Sequence, residues 1–246
     1  MTTDRGGRSA RNGGDSLVST GRLAPVSRRL AIGGGLALAG SVWRGALGAE
    51  AMPVPRDLAF DVLRKGSRIG ANEVRFRSTA GGGLEVATLL DLAVKVVLAT
   101  VFSYRQEARD VWRDGRLVAS DVETDDDGKR TTVRVREAAD GRLGVEGPAG
   151  AYAAEPGTMT DLSFWNPAIV RQTRIIDGQN AELMPITLTA AVRETVTAGG
   201  RPVAAIRHGF ATTKGREGSV WYDEAGRWLR AEYKTRGELL TFELRG

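Results

Sequence analysis

The sequence predicts an all-β fold: an antiparallel up-and-down meander of about a dozen strands, forming a curled or incompletely closed barrel with one short irregular or helical crossing. Three observations carry this expectation. Asp114-Gly115, Asp127-Gly128 and Asp140-Gly141 recur at a spacing of thirteen residues. Asp-Gly between alternating apolar residues favours a type I′ hairpin turn, whose two central residues need positive φ. Thr131, Val133 and Val135 alternate with Thr132, Arg134 and Arg136, the period of a strand with one buried and one wet face. No strand-helix-strand alternation occurs, which argues against a parallel sheet. The lack of an internal repeat argues against a propeller or solenoid. Strands joined in series by tight turns expose their edges unless the sheet curls or closes.

Taken in order, residues 1–26 are rich in Gly, Ser, Thr and Arg and read as a disordered n-region. Residues 27–51 read as an export signal. Ser27-Arg28-Arg29-Leu30-Ala31-Ile32, followed by a Gly/Ala/Leu run to Val42, resembles a twin-arginine signal with Arg28 and Arg29 as its pair. Phe is absent after the pair, which keeps the general secretory route as the alternative. Arg44, just after the apolar run, fits the twin-arginine case better. Ala49 and Ala51 offer small-residue cleavage sites, with a mature start at Glu50 or Met52. The apolar run is about fourteen residues and carries Gly33 to Gly35, whereas a spanning helix needs about 20. The expected mature protein is periplasmic, without a stable transmembrane span, and its first partner is the twin-arginine export machinery. An uncleaved membrane anchor is the alternative.

Charge follows the same division. The whole chain carries 35 basic and 30 acidic residues. Residues 1–49 hold seven arginines, Asp4 and Asp15. The remainder therefore balances at 28 basic and 28 acidic residues. A body without net charge has no field to attract a phosphate backbone, so no nucleic-acid partner is expected. Cysteine is absent and His208 is the single histidine. That excludes disulfides, thiolate metal sites and a cysteine nucleophile, and no metal or other cofactor is expected.

Residues 52–246 read as one β-rich domain. Leu58, Phe60 and Val62 alternate as a first strand, and Lys65-Gly66-Ser67 turns it. Val74 and Phe76 oppose Glu73, Arg75 and Arg77 in a second. The long apolar run from Leu84 to Tyr104 carries an Asp91/Lys95 pair that would suit a helix. Its valines favour strands instead. The Asp-Gly meander follows. After Val145 the pattern lapses into Gly147-Pro148-Ala149-Gly150 and Glu155-Pro156-Gly157, which is loop chemistry. Asp161 to Val170 reads as the crossing, and the 147–170 segment is placed to plug or lid the sheet near its mouth. Strands resume at Ile175 and run through Val203–Ala211, Val220–Asp223 and Trp228–Thr235 to Leu239–Leu244.

Several motifs invite a chemical reading. Asp125-Asp126-Asp127-Gly128 resembles part of a calcium loop, but the position that must supply a bidentate carboxylate is Arg134. A hairpin turn explains it better. His208 shares phase with Ile206 and Phe210, and no Gly-x-Ser-x-Gly elbow accompanies it; it reads as a core or lumen histidine. Thr212 to Gly218 lacks phosphate-loop spacing and reads as an exposed hairpin loop. Glu107 with Asp110, or Asp223 with Glu224, would pair as acid and base only if the fold brought them together.

The large rings carry the binding expectation. Tyr104, Trp112, Phe164, Trp165, Trp221 and Trp228 either anchor the core or line an apolar cavity inside the sheet. Trp221 shares a face with Asp223 and Trp228 with Arg230, so some rings are expected to be half exposed.

Phe60-Asp61-Val62 with Lys65-Gly66-Ser67-Arg68-Ile69-Gly70, Val111-Trp112-Arg113-Asp114-Gly115-Arg116-Leu117, and Val220-Trp221-Tyr222-Asp223 with Gly226-Arg227-Trp228 resemble a proteobacterial family of exported β-rich domains of unknown function. This resemblance covers about residues 57–245 and implies no activity. The C-terminal hairpin is also similar to strands of periplasmic lipoprotein carriers and related curled sheets, which implies an acyl or other apolar ligand. The functional expectation is a non-enzymatic periplasmic binder of an apolar or lipid-like molecule. An envelope assembly factor acting by protein contacts is the alternative, and a hydrolase built on a carboxylate pair the third.

Overall fold

The computed structural model describes residues 54–96, 99–213 and 215–246. The expected n-region (1–26) and the export signal (27–51, with Arg28 and Arg29) lie outside the described residues.

Turn chemistry sets the meander. Asp114-Gly115 (φ 49° and 72°) and Asp127-Gly128 (φ 54° and 89°) both adopt the paired positive φ of a type I′ hairpin. At Asp140-Gly141 only the glycine is left-handed, because the turn is one residue longer. There the Ala138 N–H donates to the Arg142 carbonyl at 2.8 Å.

The first eight strands run β1 (Leu58–Arg64), β2 (Ser67–Ser78), β3 (Leu84–Val96), β4 (Ala99–Arg113), β5 (Arg116–Asp126), β6 (Lys129–Glu137), β7 (Leu143–Gly147) and β8 (Gly150–Ala154). After a short strand β9 (Met159–Thr160) come two 3-10 turns, Ser163–Trp165 and Pro167–Arg171. The chain then continues through β10 (Arg174–Ile176), β11 (Leu183–Leu188), β12 (Val192–Ala198), β13 (Arg201–Thr212), β14 (Glu217–Tyr222), β15 (Trp228–Thr235) and β16 (Glu238–Leu244). All sixteen strands belong to one sheet, ordered β8-β7-β6-β5-β4-β3-β2-β1-β16-β15-β14-β13-β11-β10-β9. The exception to this path is β12, which adds to β13 alongside β11. Every pairing is antiparallel except β9 with β10. The first and last long strands pair with each other, Phe60 opposite Leu244, so the meander returns on itself.

The sheet curls without closing. Its two terminal strands, β8 and β9, are consecutive in the chain but not paired. Across this seam the Ala149 N–H donates to the Asn180 carbonyl at 2.9 Å. Curling is aided by register shifts at Val62/Leu63, Val111/Trp112 and Trp221/Tyr222, since a bulge bends its strand and increases local twist. At Gly218 the strands pass so closely that a Cβ would sit 2.0 Å from the Glu232 carbonyl oxygen. Any side chain there would force β14 and β15 apart.

Along β2 to β5 the inner face is built in rows set by register. Phe76, Val86, Asp110 and Ser120 form one row; Val74, Thr88, Ala108 and Val122 the next; then Asn72, Leu90, Gln106 and Thr124; then Gly70, Leu92, Tyr104 and Asp126. The Phe76 end is solid. Val86, Trp112, Val135 and Leu143 are fully buried there. The crossing seals this end. Trp165 sits edge-on against both Trp112 and Phe76, each at 5.1 Å between ring centroids. Tyr222 donates its hydroxyl to the Phe164 carbonyl at 2.7 Å, and the Asn166 side chain caps the second 3-10 turn by accepting from the Ala168 N–H. The expected lid near the mouth is thus corrected. Residues 163–171 form a floor at the opposite end, because the aromatic socket for Trp165 lies there.

Among the described residues no helix is long and apolar enough to cross a membrane, and no group of three or more His, Asp or Glu is placed to hold a metal ion.

One core group is out of keeping with its surroundings. Asp110 is completely buried, and neither its oxygens nor the Ser120 hydroxyl opposite reaches hydrogen-bonding geometry. Burial pushes its carboxyl up from 3.8 to about 7; nearby Ser120 works against this and the Asp121 charge adds to it. Between those values the unfolded chain ionises first, so Asp110 lowers stability as pH rises from about 4 to about 7. Asp110→Asn is expected to remove that loss. In urea unfolding, the variant should gain on the wild type by about 1.4 kcal/mol per pH unit across this window. A stability difference that does not change with pH contradicts the assignment.

Candidate functional site

Above the floor the curl encloses a cavity of about 440 Å³, within the range of small-ligand sites. Its walls come from β2, β3, β4, β13, β15, β16 and the crossing. Leu90, Leu92, Phe210, Trp228, Phe242 and Phe164 give it an apolar body. Phe164 is 5.3 Å from Phe210 and 6.2 Å from Trp228 between ring centroids. Phe60 backs Trp228 at 4.2 Å, which fixes that ring against the wall.

The mouth lies where the β1–β2, β3–β4 and β15–β16 tips converge, lined by Arg64, Ile69, Val101, Phe102, Arg236 and Glu238. Two ion pairs stand at it. Arg64 binds Glu238 at 2.6 Å. Arg236 lies over the Phe102 ring at 5.4 Å and binds Asp126 of β5, on the far wall. Gln179 donates to the same Asp126 oxygen at 2.9 Å.

One wall is charged internally. Arg216 reaches into the cavity and bridges Asp161 at 3.2 Å and Asp177 at 3.0 Å. Asp177 also accepts from the Gln179 and Asn180 N–H groups at 2.7 and 3.2 Å, whereas Asp161 accepts from the Gly178 N–H at 2.9 Å. The Asp161 carboxyl is raised. Burial and the Asp177 charge push it up; Arg216 and Gly178 oppose them. For Arg216, burial works against the charge but the two carboxylates outweigh it and raise its pKa. Burial likewise raises the hydroxyls of Tyr104 and Tyr233 beside this cluster, keeping them neutral. The oxygens of both acids are taken up by Arg216 and backbone donors, an arrangement that fixes a wall rather than presenting a free acid and base.

The six candidate rings divide. Tyr104, Phe164 and Trp228 line the cavity. Trp112 and Trp165 lie beyond its floor in the solid core. Trp221 points to the other face of the sheet, because Val220 and Tyr222 take the inward positions on β14. There it donates to Glu194 of β12 and stacks under Arg230 at 5.7 Å, so the β12–β13 hairpin covers it. His208 stands 6.3 Å from Tyr222, its basicity lowered by burial, away from the cavity lining. Arg216 was expected in an exposed loop. Its side chain is instead about one-fifth exposed, drawn inward by two acids that lie 55 and 39 residues earlier in the chain.

The fold and this cavity define a class: an antiparallel sheet curled into an incomplete barrel around an interior space, floored by an inserted aromatic segment. The chain belongs to the family described as domain of unknown function DUF6134, whose model matches residues 60–245. It is also similar to the crystal structure of a beta-barrel-like protein of the domain of unknown function DUF1849 from Brucella abortus. That likeness has 12% identity and a TM-score of 0.54, and it covers 79% of this chain and 97% of that one. At this identity the likeness concerns the fold alone. No curated protein matches the chain.

Proposed function

We propose that this protein is an exported periplasmic binder of an apolar or lipid-like molecule, and that it holds this ligand without transforming it. The observation that carries the reading is the cavity: an apolar body with a sealed floor and a mouth ringed by paired charges. Such a space excludes water from an apolar ligand, and burial of each methylene contributes about 0.8 kcal/mol. Export is supported by the Arg28-Arg29 leader and the Ala49 and Ala51 cleavage positions.

The reading is tested by titrating an apolar fluorescent probe into the purified protein. Ala231 lines the cavity on β15. Ala231→Phe fills the space and is expected to weaken probe binding at least tenfold while the β-sheet circular dichroism is kept. Trp221→Ala removes a still larger ring from the outer face and should leave probe affinity within twofold. If Trp221→Ala weakens the probe as much as Ala231→Phe does, the binding site is elsewhere.

A further inference from the structure

The cavity is apolar in its body but not throughout. Asn72, Thr88 and Gln106 lie on three successive strands and contribute polar side chains to one wall. All three are more than nine-tenths buried. Gln106 donates its amide to Thr124 at 3.0 Å, which leaves its carbonyl oxygen unused. The Asn72 amide makes no hydrogen bond among the described residues; the Thr88 hydroxyl has no protein partner either, but it is closed off from the cavity. Buried polar groups without partners are costly, and each one in a native fold calls for an explanation. Gln106 sits four residues along β4 from Phe102, about 13 Å below the mouth.

The charges of the cavity are already matched. Arg64 is held by Glu238, Arg216 by Asp161 and Asp177, and Arg236 by Asp126. Among the described residues no arginine of the lining is left for a carboxylate or phosphate. The unmatched capacity open to the cavity is neutral and mixed, with a donor on Asn72 and acceptors on Asn72 and Gln106. A hydroxyl, which both donates and accepts, satisfies such a set; an ester or amide carbonyl satisfies its donors.

We infer that the ligand is an uncharged amphiphile that enters head first, with a hydroxyl or carbonyl group bound by Asn72 and Gln106 and its chain running past Leu92 toward the mouth. This inference rests on the binder reading above and names the ligand class for that site.

The test uses four probes of equal chain length: monolaurin, laurate and dodecyl phosphate below their micellar concentrations, and dodecane below its solubility limit. Each is titrated into the purified full chain by calorimetry. Monolaurin is expected to bind at least tenfold more tightly than either anion and than the alkane. In the double variant Asn72→Leu/Gln106→Leu, monolaurin should lose at least tenfold in affinity while dodecane is retained or improved. Equal affinities for monolaurin and the anions overturn the headgroup assignment and leave the apolar binder standing, and so does a variant that weakens all probes alike. If none of the four binds, the binder reading falls and this inference with it. The probe series on the unmodified chain decides the matter even if the variant does not fold.

Discussion

Arg216→Met is expected to destabilise the protein by about 3–5 kcal/mol at neutral pH, the usual cost of removing one partner from a buried ion pair. The substitution keeps most of the side-chain volume, so the loss is electrostatic. Asp177 is 1% exposed, and without Arg216 it and Asp161 face each other across the cavity wall. The sign of the pH dependence follows. Burial and the Asp177 charge already raise the Asp161 carboxyl and would no longer be opposed by the guanidinium, so the variant should recover stability as pH falls and lose it as pH rises. Adding Asp161→Asn should restore part of the loss, because the remaining acid keeps its backbone donors at Gln179 and Asn180. Urea denaturation between pH 4 and 8 checks this. A loss below 1 kcal/mol that is flat with pH would show that the triad is solvated and not a structural clamp.

Trp112→Ala is expected to cost a similar 3–5 kcal/mol, from a wholly different cause. Trp112 is fully buried and opposes Leu84 and Leu117 in the ladders. Its edge-on contact with Trp165 ties the sheet to the floor. Removing it leaves a cavity under the crossing. For a domain of this size the melting temperature should fall by roughly 2–4 °C for each kcal/mol. A double-mutant cycle with Trp165→Ala should return a coupling of about 0.5–1.5 kcal/mol for the ring pair. Additive losses would mean that the floor is not held by this contact.

These two residues mark what the sequence could and could not disclose. Fold class was legible because turn chemistry and strand alternation are local. Asp114-Gly115 and Asp127-Gly128 demand tight hairpins, and the valines between Leu84 and Tyr104 resolved into β3 and β4 despite the Asp91/Lys95 spacing. The strand count rose from about a dozen to sixteen where alternation is weakest. Gly147-Pro148-Ala149-Gly150 is not a break but the hairpin turn between β7 and β8, while β9 and β10 are two and three residues long, too short to show a period.

The site was much less legible. Trp112 and Trp221 look alike to Tyr104 and Trp228 in a sequence, and only bulges and the fold-back of β12 decide which face each ring takes. Arg216 sits among glycines and polar residues, so its loop reads as exposed; the acids that draw it inward belong to distant turns. Asn72, Thr88 and Gln106 are single polar positions in otherwise ordinary strands. Register alone sets them on one wall, Asn72 and Gln106 both opposite Leu90.

Mass spectrometry on the protein isolated gently from its native envelope fraction, comparing the intact complex with its organic extract, reads export and ligand at once. The expected species is a chain that has lost its leader at or near Glu50 or Met52 and carries one uncharged, lipid-like molecule per protein. A full-length chain, or a processed chain that is free of ligand, would contradict this expectation.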